Sequence, residues 1–96
     1  MADISLRHAH SLGLDKAKEL TRKITTDVQS EFPSLVSSID WNGDGTVAKL
    51  KGKAFSGTFK VEAAAMSIDV DLAFLAKPFK GKVEQKIKDR VAQYFG

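Results

Sequence analysis

From Met66 to Leu72 apolar and polar residues alternate without a break: Met66, Ile68, Val70 and Leu72 fall on one side, and Ser67, Asp69 and Asp71 on the other. Successive side chains of a strand point to opposite faces, so this run predicts a strand with one face in a core and one in water. A sheet built on such strands needs another layer over its apolar face. Two stretches of helical period can supply it. Leu14, Ala17, Leu20, Ile24, Val28 and Phe32 recur every three or four residues until Pro33 stops the run, which predicts a helix near 14–32. Beyond Gly81, a second stripe of Val83, Ile87, Val91, Tyr94 and Phe95 predicts a helix near 82–95.

The remaining segments read as strands. Asp3 to His10 alternates, with Ile4, Leu6, His8 and His10 on one side. Val36 to Trp41 leads into Asn42-Gly43-Asp44-Gly45, whose residues tolerate the positive φ of a tight hairpin, and Thr46 to Lys51 returns. Gly52-Lys53 turns the chain again, and Phe55, Gly57, Phe59 and Val61 share a face of the next strand, where a mid-strand glycine points to a bulge or a close helix. Glu62 to Ala65 fits either a strand extension or one helical turn. The expected fold is α+β, in the order βαββββα, an antiparallel sheet with both helices packed on one face, comparable to a trimmed helix-grip fold. With 96 residues there is enough chain for one core and too little for two, so we expect a single domain over 1–96.

Composition removes several functions. The chain has no cysteine, which excludes a disulfide framework, a thiolate metal site and a cysteine nucleophile. Its start lacks the basic and then apolar run of a secretory signal and no stretch is long enough to span a bilayer, so a cytoplasmic location is expected. The net charge is only +3, but the lysines cluster: 49–60 and 77–90 each carry a net +4. Lys82, Lys86 and Arg90 recur every four residues, a step of about 40° on the helical wheel, so they form a stripe beside Val83, Ile87 and Val91. With Lys77 and Lys80 leading into it, this stripe is the candidate surface for an anionic partner. A nucleic-acid partner is disfavoured, because no stacking aromatics alternate with the charges.

The chemical motifs are weak. Asp40 to Val47 matches the opening of a calcium loop, but Lys51 stands where the bidentate glutamate belongs and the flanks are strands. His8 and His10 share a strand face with Ile4 and Leu6, lack a third ligand, and read as packing residues at a sheet end. Ser11 beside them lies on no nucleophile-presenting turn. Asp69 and Asp71 are explained by the solvent side of their strand. No catalytic residue, metal site or cofactor is assigned. Phe74-Leu75-Ala76-Lys77-Pro78-Phe79 has two readings: filling one end of the core, which we favour, or an apolar contact surface including Phe79, flanked by Lys77, Lys80 and Lys82.

Several segments together carry a family resemblance. These are Ala2-Asp3-Ile4-Ser5, His10-Ser11-Leu12-Gly13-Leu14, Trp41-Asn42-Gly43-Asp44, Ser56-Gly57, and Leu72 to Glu84 around Lys77-Pro78-Phe79-Lys80-Gly81-Lys82. In combination they resemble the putative polyhydroxyalkanoic acid system proteins, a small bacterial family, from about Ala2 to Phe95. The resemblance implies a role around polyhydroxyalkanoate granules or their regulation, and it brings no catalytic residue set. The expected function is therefore a non-enzymatic accessory or binding protein whose partner is the polyester granule surface or a granule protein. The rival expectation is a small lipid or acyl-chain carrier, with a cavity between sheet and C-terminal helix lined by Phe59, Ile68, Val70 and Val91.

Overall fold

A computed structural model describes residues 2–95. The elements are β1 (Ile4–Ala9), α1 (Leu14–Glu31), β2 (Ser38–Trp41), β3 (Val47–Gly52), β4 (Phe55–Val61), β5 (Ala65–Leu72), a 3₁₀ helix (Phe74–Phe79) and α2 (Lys80–Phe95). All strand pairs are antiparallel, in the spatial order β1-β5-β4-β3-β2. The α+β class and the βαββββα order are those the periodicity predicts. Strands β2 to β5 form the expected meander, and β1 joins its far edge with Ile4 opposite Val70 and His8 opposite Met66.

This order gives α1 its task. β1 and β2 lie at opposite edges of the sheet, so the connection between them crosses every strand. Four inter-strand gaps span roughly 19 Å. The 18 residues of α1 give it a length of roughly 27 Å, enough for a diagonal crossing. Ala17, Leu20, Ile24 and Val28 are buried beneath it, and Val83, Ile87 and Val91 are buried beneath α2. Phe59, Met66, Ile68 and Val70 answer them from the sheet with no exposed surface. The opposite sheet face carries Lys49, Lys51, Ser56, Lys60, Asp69 and Asp71, all exposed.

Element ends follow local chemistry. Gly13, at φ 83°, turns the chain into α1. Phe32, forced out of the helical region by Pro33, ends it, and its carbonyl accepts the N–H groups of Leu35 and Val36, each at 3.0 Å. Val36 is thereby held in the helix exit, so β2 starts at Ser38 rather than Val36. α2 takes in Lys80 and Gly81 and starts two residues before the expected bound. Gly57 makes no bulge: pairing runs unbroken through it on both sides, and a Cβ there would lie 3.2 Å from the Phe55 ring, on a strand over which α1 packs. Glu62 to Ala64 form a turn and Ala65 extends β5 by one residue, its carbonyl accepting the Glu62 N–H at 2.7 Å; no helical turn forms.

Two positions test this packing. A Cβ on Gly52 would lie 1.5 Å from the Leu35 carbonyl oxygen, so Gly52→Ala must displace backbone and is expected to cost about 3 kcal/mol in chemical denaturation. The Thr21 hydroxyl is fully buried and has no hydrogen-bond partner. Thr21→Val removes that orphan group without changing the volume much, and should raise stability by about 1 kcal/mol in the same measurement.

Candidate functional site

The turns of this topology divide between two ends of the sheet. Gly52 pairs with Phe55, Phe55 with Leu72, and Ile4 with Val70, so the β3–β4 turn, the exit of β5 and the entry to β1 meet at one end. The 3₁₀ helix Phe74–Phe79 emerges there. Its start is pinned by a 3.0 Å bond from the Ala73 N–H to the Ala54 carbonyl, and Ala76 N–H closes back on the Ala73 carbonyl at 2.8 Å. Within the helix, Ala76 alone is buried.

Phe74 is 86% exposed, Leu75 81% and Phe79 43%, making them, with Leu12, the exposed large apolar side chains among the described residues. The expectation that this segment fills the core is therefore wrong. Leu35, Phe55 and Leu72 are already buried at this end, and the 3₁₀ turn admits only the small Ala76 behind them. What remains is an apolar tip beside a depression of ≈ 300 Å³, lined by Ser34, Leu35, Lys53, Ala54, Leu75 and Ala76 among others.

Asp3 fixes the tip to the body of the fold. One carboxylate oxygen accepts the Leu72 N–H at 2.7 Å and the other pairs with Lys77 Nζ at 2.6 Å. The Lys77 ammonium first, and then the Leu72 amide, hold the Asp3 carboxyl below the usual carboxylate range. A depressed value means stability that is present above the ordinary carboxylate range and lost as pH falls through the lowered one. Asp3→Asn should therefore lower the melting temperature at neutral pH, and the gap from wild type should close as pH falls through the lowered carboxylate range in thermal melts across pH.

Ion pairs divide the basic residues of the C-terminal segment, although Lys82 and Lys86 line one depression. Lys86 Nζ lies 3.6 Å from Glu31 and Arg90 Nε lies 3.3 Å from Asp27, so both turn toward α1 and join the helices. The Arg90 Nε–H is not aimed at that oxygen, which makes the contact one of charge rather than a hydrogen bond. Asp27 also accepts the Tyr94 hydroxyl at 2.9 Å, which pushes the phenol above its ordinary value. Lys77 is held by Asp3. Lys53, Lys80 and Lys82 are exposed and have no carboxylate within ion-pair distance among the described residues. All three lie at the end of the fold that carries the tip: Lys53 lines the depression beside Leu75, Lys80 follows Phe79, and Lys82, in the first turn of α2, lines a neighbouring depression with Glu31 and Lys86. Lys53 escaped the sequence reading of this surface because it lies on a different hairpin, with no local signal joining it to Phe74.

The other candidate residues have structural surroundings. Phe59, Ile68, Val70 and Val91 sit together in the packed core at 0–4% exposure. The His10 Nδ1 accepts the Leu12 N–H at 3.2 Å and its Nε2 donates to the Glu62 carbonyl at 3.0 Å, so both ring nitrogens are engaged. His8 and His10 also pack on the Phe95 ring, with centroids 6.0 and 5.3 Å away. In the Asn42–Thr46 turn the Asn42 Oδ1 accepts the N–H groups of Thr46 and Val47 at 2.9 and 3.1 Å, which spends a supposed calcium ligand on the hairpin. Ser5 Oγ donates to Asp69 at 2.8 Å on the open sheet face.

Fold and site thus define a two-layer α+β protein, a sheet backed by two helices, whose distinguishing surface is an apolar tip with lysines around it. The chain belongs to the family described as Putative polyhydroxyalkanoic acid system protein, whose model matches residues 4–95. That description places it in the polyhydroxyalkanoic acid system and names no enzymatic activity. Comparison with curated proteins gives no match, and comparison with solved structures gives none either. No helix among the described residues is long and apolar enough to cross a membrane.

Proposed function

We propose that this protein is a non-enzymatic, cytoplasmic accessory factor of the polyhydroxyalkanoate system that attaches to the storage granule through the tip formed by Phe74, Leu75 and Phe79. The observation that carries this reading is the exposure of two of these side chains above 80%, on a segment pinned to the fold at both ends. Large apolar groups held out into water are costly to leave unpartnered and mark contact surfaces. A polyester surface is apolar along its alkyl and ester backbone, and three projecting side chains on a rigid turn suit a broad surface better than they suit a discrete small molecule. The family membership supplies the setting.

The test is co-sedimentation with granules isolated from cells. Wild-type protein should pellet with them, and a Phe74→Ser, Leu75→Ser double variant should partition into the supernatant roughly a hundredfold more, given the apolar area withdrawn. Because both side chains lie outside the core, its melting temperature should equal that of the wild type. A wild type that stays in solution, or a double variant that pellets equally well, would overturn the proposal.

A further inference from the structure

Three unpaired lysines around an apolar tip are more than attachment to a neutral polymer requires. Lys53 comes from the β3–β4 turn, and Lys80 and Lys82 come from the start of α2, yet the topology brings all three to the end that carries Phe74, Leu75 and Phe79. The other cations of the C-terminal segment are paired: Lys77, Lys86, Lys88 and Arg90 each have a carboxylate within 4 Å. The first turn of α2 contains no acidic residue and two lysines, the reverse of the order that suits a helix N-terminus. Like charges gathered without counterions repel one another, and a negatively charged partner removes that repulsion.

Exposed apolar side chains with unpaired lysines at the same end of the fold match one kind of surface. The side chains enter an acyl layer, and the ammonium groups stay at the level of the headgroups. We infer that the tip recognises an anionic phospholipid layer, with Phe74, Leu75 and Phe79 inserted among acyl chains and Lys53, Lys80 and Lys82 paired with phosphate-bearing headgroups. This inference rests on the reading of the tip as the granule-contacting surface, and it names the chemistry that the tip meets there. The protein would be a peripheral binder: three side chains insert only shallowly, so the lysines decide which surfaces hold it.

The experiment compares sedimentation with vesicles of phosphatidylcholine alone, vesicles containing about one third phosphatidylglycerol, and lipid-free polyester particles. Wild-type protein should bind the phosphatidylglycerol vesicles at least tenfold better than the neutral ones at low salt, and the advantage should shrink as salt shortens the screening length. Lys53→Gln, Lys80→Gln and Lys82→Gln together should abolish the advantage, lowering binding to the anionic vesicles by roughly a hundredfold. Phe74→Ser with Leu75→Ser should lose binding to every surface, and the melting temperatures of both variants serve as the control for folding. Equal binding to the two vesicle types would overturn the inference. Uptake by polyester particles but not by anionic vesicles would overturn it as well and leave the granule-contact reading standing, whereas uptake by none of the three, together with failure to pellet with granules, would remove both. A concentration-dependent dimer that Leu75→Ser dissolves would assign the tip to a second copy of the chain and overturn the lipid assignment.

Discussion

One face of the sheet must be kept from water, and the chain has only two helices with which to do it. Every feature of the architecture answers to that requirement. Because β1 and β2 occupy opposite edges, α1 lies diagonally over the whole sheet, and α2 fills the area that remains beside β1. Deletion of either helix would expose Ile68, Val70 and their neighbours, which form a single cluster with residues of both. Two helices over five strands leave little spare apolar surface in the chain, which makes the exposure of Phe74 and Leu75 all the more distinctive.

The packing of the helices on one another explains how the charge is distributed. α1 presents Asp27 and Glu31 where α2 presents Arg90 and Lys86, so these cations lie at a seam between helices and are half-buried. Ion pairs of this kind contribute little to stability by themselves, but they set which helix faces meet and withdraw two positive charges from the surface. One turn or more away, Lys80 and Lys82 have no carboxylate within 4 Å among the described residues, although Lys82 shares a depression with Glu31. The division between seam and surface lies within a stripe that looks uniform on a helical wheel.

The tip depends on a small number of polar contacts at the same end of the sheet. The Ala73–Ala54 bond holds the exit from β5 to the neighbouring hairpin, and Asp3 ties Leu72 and Lys77 to the start of β1. The two Asp3 bonds join residues 69 and 74 positions apart in the chain. Without them a six-residue 3₁₀ turn containing Pro78 would have little to maintain it, because short 3₁₀ segments have poor hydrogen-bond geometry of their own. The apolar side chains are therefore displayed by the fold and not merely left over from it.

Periodicity determined the type of the strands and of both α-helices, though not the 3₁₀ helix, since period two in Met66–Leu72 and period 3.6 in Leu14–Val28 are consequences of backbone geometry that hold wherever the segment lies. The turn at Asn42–Gly45 and the end of α1 before Pro33 were legible for the same reason, because each follows from the φ and ψ that a few adjacent residues allow. Tertiary structure decided the rest. Whether Gly57 marked a bulge depended on the Phe55 ring and on the strands to either side, and whether Phe74 and Leu75 faced in depended on the end of the core being already closed by Leu35, Phe55 and Leu72. Which lysines were free depended on where α1 placed its acids, and that Lys53 belonged with Lys80 and Lys82 depended on the strand order. Local sequence sets the conformation of a segment, but burial and charge pairing are properties of what lies across from it, and that is decided only when distant segments are brought together.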